Sequence, residues 1–231
     1  MGYRRFTEKT TLTDARESTE YTFEALDAYP DEAVRELGKP LDAHLTGLDG
    51  LEVKRRKARR MGIRANARVR TWDGVCDDIV RELVKDVLGA VRQNRKDALF
   101  VALFPTSPTE VVALTLAPEL EEFERISSVL AAKTTPAELR KAWASRVDGA
   151  AKSGNDALKL RKAALAAQAE AEADIARAIE RLDRARRAVD GALTTYAAEH
   201  DLASDFNERF FPATSTSTKK PSPTPDNPTP A

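Results

Sequence analysis

Apolar residues recur along this chain at alternating steps of three and four, the period of a helix face, over two long stretches. In the first, Ala58, Met61, Ala65, Val69, Trp72, Cys76, Ile79, Leu83, Val87 and Ala90 fall on one stripe. In the second, Ile175, Leu182, Val189 and Tyr196 stand seven apart, with Leu165, Ile179 and Leu193 beside them. Both seams are rich in Ala and thin in large side chains, so helices lying against them can approach closely. Two apolar runs, 99–104 and 111–116, are too short for periodicity to choose between strand and helix.

Polar punctuation sets the boundaries. Ser107-Pro108-Thr109-Glu110 and Thr135-Pro136-Ala137-Glu138 each read as a hydroxyl N-cap, Pro at the first helical position and Glu two residues further on. Asp14 with Glu17 and Asp49 with Glu52 are weaker boxes of the same kind. Pro30 and Pro118, each followed by acids, suit first turns, and Asn155 after Gly154 reads as a further cap. These signals predict helices near 14–28, 31–46, 51–96, 119–133, 137–151 and 156–203. The expected fold is all-α: an elongated helical bundle with two long antiparallel helices, each about 65–70 Å at 1.5 Å per residue, packed by shorter ones.

Shifting the chain against itself gives a period near 107. Leu51, Val53, Lys54 and Arg55 fall on Leu158, Leu160, Arg161 and Lys162, while Leu99, Leu103, Phe104 and Pro105 fall on Phe206, Phe210, Phe211 and Pro212. The reading is two three-helix repeats, 1–107 and 108–212, related by a pseudo-two-fold axis and packed as one bundle. Each ends in a Phe-Pro exit that covers the seam. Residues 213–231 hold five prolines among Ser and Thr, without an aromatic. They read as a disordered tail, because such a segment buries too little apolar surface to offset its ordering entropy.

Composition narrows the chemistry. With 231 residues the chain can bury a core without metal or disulfide staples. Lys+Arg and Asp+Glu are both 37, a balance that argues against a generic polyanion binder. Cys76 is the one cysteine, and His44 and His200 are the two histidines, so neither a disulfide framework nor a Cys- or His-based metal site is expected. The chain starts without a signal-like apolar stretch, and its apolar runs fall far short of a bilayer span, which points to a cytoplasmic protein with no membrane partner.

The strongest local feature is Val53-Lys54-Arg55-Arg56-Lys57-Ala58-Arg59-Arg60, continuing through Arg64 and Arg68 to Arg70. It places nine cations between 54 and 70 with no acid among them. On a helix Arg56, Arg60, Arg64 and Arg68 lie four apart and form a guanidinium stripe suited to a phosphate backbone or another anionic partner. Against that reading, residues 14–52 hold eleven acids and three bases. If those helices fold back on the long one, the charge cancels inside the fold. Glu119, Glu121, Glu122 and Glu124 are placed to do the same for Arg161 and Lys162.

Asp73, Asp77, Asp78 and Glu82 form an acidic patch where a divalent cation or acid–base chemistry is conceivable, but Arg70, Arg81 and Lys85 stand three or four residues away as ordinary helix partners. Trp72 and Cys76 read as core, the histidines as helix-end residues. Gly-rich phosphate loops and catalytic signatures are absent from the sequence. The expectation is therefore a non-catalytic scaffold or protein-interaction bundle without cofactor, its partner another protein, a second copy of itself included. The first alternative is nucleic-acid binding through Arg56, Arg60, Arg64 and Arg68; the second is a carboxylate-based metal or enzyme site.

Overall fold

The computed structural model describes residues 3–212, and among them the chain is helical almost throughout, with no strand. Its elements are α1 (Leu12–Asp27), α2 (Glu32–Glu36), α3 (Lys39–Thr46), α4 (Leu48–Ala90), α5 (Ala98–Leu103), α6 (Pro108–Val112), α7 (Leu116–Ala131) and α8 (Ala137–Glu199), followed by a 3-10 turn at Phe206–Phe210. The all-α expectation, with long helices packed together, holds. The Pro/Ser/Thr-rich segment 213–231 lies outside the described residues.

Two compact units divide the chain. One comprises residues 1–51 and 174–231, the other 52–173, so the boundaries fall inside α4 and α8. The mid-chain boundary of the sequence repeat, at 107, falls inside the second unit.

In the first unit, α1 to α3 pack on the C-terminal part of α8. Leu26, Val34 and Leu41 meet Val189, Leu193, Phe206 and Phe210, and Leu12, Leu45 and Leu48 meet Ile175 and Leu182. The heptad residues Ile175, Leu182 and Val189 are buried as their spacing requires. Tyr29 sits edge-on to Phe206 and Phe210, 5.6 and 5.5 Å away, so the Phe-rich exit is core. The N-terminal strand-like segment is pinned to α8: the Tyr3 hydroxyl and the Phe6 amide both donate to Asp183 Oδ1, at 2.5 and 2.7 Å. Beside it Arg186, 2% exposed, lies among the rings of Tyr3, Phe6 and Phe211.

In the second unit, α4 and α8 run antiparallel. Lys54 pairs with Glu170 at 2.6 Å, Glu82 with Arg146 at 2.7 Å, and Asp86 accepts from the Trp143 indole at 2.9 Å, so positions rise along one helix as they fall along the other. α5, α6 and α7 close a core of Val80, Leu83, Val87, Phe100, Leu103, Phe104, Phe123, Ile126 and Trp143.

Several local expectations are corrected. Asn155 caps nothing, because α8 passes unbroken through Gly154-Asn155. Gly154 is buried under α7, where a Cβ would lie 2.8 Å from Leu120 Cδ2; the glycine admits a close crossing and does not stop a helix. The 31–46 helix is broken at Leu37-Gly38, where Phe23 and Leu26 press on the glycine. The run 51–96 ends early, at Ala90, since Arg92 and Gln93 take left-handed φ of 49° and 63° and the Gln93 amide closes back on Leu88 O at 2.7 Å. Neither ambiguous apolar run is a strand: 98–103 is α5, while 111–116 is the junction between α6, which ends at Val112, and α7, which starts at Leu116.

The Ser107 box forms as read, with Glu110 reaching back to the cap amide. The α1 box uses Thr11 with Asp14, three residues upstream of the expected pair. Thr135 does not cap α8: its buried hydroxyl donates to Val129 O at 2.7 Å and closes α7. Met61 and Leu165, assigned to the seams, are 39% and 55% exposed; the residues buried along this stretch of α4 and α8 are small, namely Ala58, Gly62, Ala65, Ala157, Ala164 and Ala171.

Candidate functional site

The cation run forms part of α4, an unbroken helix with no residue at positive φ. Arg56, Arg60, Arg64 and Arg68 are all exposed. Each four-residue step advances about 40° around the helix, so the four guanidiniums cover roughly 120° of its surface. Lys54 and Arg55 find Glu170 and Glu172 on α8, at 2.6 and 3.8 Å. Within the unit 52–173, no carboxylate lies within ion-pair distance of Arg56, Lys57, Arg59, Arg60, Arg64, Arg68 or Arg70.

Several acids of 14–52 have partners of their own: Glu20 and Asp49 hold Arg16, at 2.8 and 2.7 Å, Glu36 holds Lys39, and Asp31 accepts from the Tyr196 hydroxyl at 2.5 Å. Within the second unit, the expected pairing of α7 acids with Arg161 and Lys162 does not form. Glu122 is turned onto Arg125, which also donates to the carbonyls of Ala102 and Leu103 at the end of α5, and Glu119 is buried. For Glu122 an i,i+3 partner on its own helix wins over a distant helix, because the pair needs no further ordering of the chain.

The acidic patch is committed to arginine. Arg81 binds Asp77 and Asp78, at 3.2 and 2.9 Å, and Glu82 binds Arg146. Among the described residues, no three His, Cys, Asp or Glu side chains come together in a metal-holding group. Trp72 is half-buried against the core of the second unit, and the indole that carries a guanidinium is Trp143, with Arg146 4.3 Å above it. Cys76 is fully buried, and burial pushes its thiol up to about 12, which leaves it a hydrophobe. His44 lies in the last turn of α3, and His200, just past α8, stacks on Tyr196 at 4.1 Å.

Glu119, expected to face Arg161 and Lys162, lies instead in the core. It is fully buried, and both carboxyl oxygens lack a donor. Burial first, then the charges of Asp77 and Asp73, push its pKa up to about 8. The signal was present in the spacing: Glu119 falls on the apolar face made by Leu116, Leu120, Phe123 and Ile126. Its neutral form is the one the site favours, since burial and the charges of Asp77 and Asp73 outweigh that of Arg81.

The protein is all-α with an exposed, cation-rich stretch of α4, and among the described residues no helix is long and apolar enough to cross a membrane. In comparisons with protein families, curated proteins and solved structures, nothing matches this chain.

Proposed function

We propose that this chain is a non-catalytic helical binding protein that takes a nucleic acid along the α4 face bearing Arg56, Arg60, Arg64 and Arg68. The observation that carries this reading is the exposure of those four side chains with no carboxylate partner within the unit 52–173. Whole-chain neutrality argues against a generic polyanion binder, but within the unit 52–173 only Lys54 and Arg55 of the run meet carboxylates, so the local field there is set by the run itself, and a phosphate backbone is the partner that gains from many cations at regular spacing.

A lipid surface fits less well. Met61 and Ile63, both exposed, are two residues apart on one helix and so project about 200° from each other. An interfacial helix needs its apolar residues on one side. An acidic protein would be met by the same charges but would not require their regular spacing.

The test is an electrophoretic shift of labelled nucleic acid by the full chain. A shift at about 50 mM salt that weakens steeply toward physiological salt, and is lost in the R56A/R60A/R64A variant, supports the reading. No shift at about 50 mM salt removes it.

A further inference from the structure

The first unit holds a cation that its own fold leaves unsatisfied. Arg186 of α8 is 2% exposed, and its guanidinium carbon lies 4.6 Å from the Phe6 ring centroid, 5.4 Å from that of Phe211 and 5.6 Å from that of Tyr3. The rings attract the charge but supply no oxygen acceptor to its N–H donors. Nε has no partner, and Nη1 reaches only the Arg4 carbonyl, at 3.5 Å. Asp183, three residues back on α8, is engaged by the Tyr3 hydroxyl, the Phe6 amide, Arg187 at 3.2 Å and Arg5 at 3.8 Å. Among the described residues of this unit, no carboxylate lies within ion-pair distance of Arg186.

Arg186 stands in the wall of an open cleft of about 510 Å³. The same wall carries Arg4, Arg5 and Lys9, all exposed, against one carboxylate, Asp14. Asp14 is turned to its own helix, where the Thr11 amide and hydroxyl donate to its Oδ2 at 3.1 and 2.7 Å. The turn that carries these cations is closed on itself: the Thr7 amide donates to Thr10 Oγ1, and the Thr10 amide to Thr7 O, both at 2.9 Å. With the Phe6 amide held by Asp183, the wall is in place before any ligand arrives.

An anion entering this cleft brings the acceptor that the desolvated guanidinium lacks. Four cations around one capped carboxylate exceed what a single carboxylate ligand balances. A phosphate monoester carries a charge of about −1.5 to −2 and three acceptor oxygens, which matches Arg186 together with its neighbours. Phe6 and Phe211 also line the cleft and give the organic part of such an ester an apolar wall. The volume falls among small-molecule sites, about 300–1,000 Å³.

We infer that the cleft between residues 4–10, α1 and α8 binds a small phosphate monoester, with Arg186 as its buried anchor and Arg4 and Lys9 as flanking cations. The site lies within the first unit and stands independently of the α4 reading.

The experiment is isothermal titration calorimetry of the full chain with phenyl phosphate, at about 0.1 M salt so that exposed charges are screened. Benzoate is the carboxylate probe. The R186M, R4A/K9A and R56A/R60A/R64A variants are run alongside, with circular dichroism as the check on folding. The cleft requires saturable binding of phenyl phosphate that weakens at least about tenfold in R186M and in R4A/K9A, as loss of a charge-assisted hydrogen bond predicts. Binding by R56A/R60A/R64A should equal that of wild type. R4A/K9A changes only exposed side chains, so it decides the matter even where R186M does not fold. No saturable binding overturns the site, as does binding that R186M and R4A/K9A leave unaltered. A loss confined to R56A/R60A/R64A puts the anion on α4 and overturns the cleft. Benzoate bound as tightly as phenyl phosphate overturns the phosphate assignment.

Discussion

Replacing Glu119 by Gln isolates the one ionisable group that the core of the second unit holds without a donor. In the folded chain its carboxyl titrates near 8, against 4.5 for the free side chain, so the native state holds a proton that the unfolded chain releases across that interval. Stability therefore falls as pH rises from about 4.5 to about 8, and levels off above, because the unfolded state binds fewer protons throughout the window. The full difference, about 3.5 pH units at 1.36 kcal/mol each, is on the order of 4–5 kcal/mol. E119Q keeps the shape and removes the titration. Urea denaturation of wild type and E119Q between pH 5 and 9 is the assay, with tryptophan fluorescence as readout. The two curves should lie close together at pH 5, and E119Q should become the more stable by several kcal/mol at pH 9. A difference between them that does not change with pH would refute the assignment of a neutral, buried Glu119.

The glycines of the long helices separate into two kinds. Gly154→Ala places a Cβ 2.8 Å from Leu120 Cδ2, so thermal denaturation should show a net loss of about 1–2 kcal/mol despite the gain in helix propensity. Gly74→Ala meets nothing within 4 Å and should raise stability by up to about 1 kcal/mol in the same assay. Arg186→Met replaces a buried guanidinium whose Nε has no partner by an apolar chain among Tyr3, Phe6 and Phe211. Chemical denaturation should find it neutral or stabilising by about 1–4 kcal/mol, whereas a loss above about 3 kcal/mol would mean that the ring contacts outweigh the desolvation.

Much of the helical framework was legible because apolar spacing and caps are local properties. Ile175, Leu182 and Val189 were placed in the core by a seven-residue interval, and Ser107 with Glu110 was placed at a helix start by the chemistry of one turn. What the spacing did not reveal depended on neighbours far along the chain. Gly154 and Asn155 look like a stop until Leu120 arrives to occupy the space of the missing Cβ. Met61 and Leu165 share the period of their seams but lie along a stretch where the buried residues are small, and their own side chains stay outside. Charge pairing was the least legible. Whether Asp49 and Glu20 neutralise the α4 cations or Arg16 depends on which helix each approaches, and only the fold decides it. Glu119 was readable in principle, since it interrupts an apolar face, but a lone acid in a first turn also has the ordinary reading of a dipole partner.

The claim that Arg56, Arg60, Arg64 and Arg68 hold phosphates is tested most directly by the salt dependence of duplex binding. The slope of log K against log salt is measured for wild type and for the R56A/R60A/R64A/R68A variant under identical buffer. Four lost phosphate contacts should flatten the slope by about 3.6. Identical slopes for the two proteins would mean that these guanidiniums, although exposed, touch no phosphate.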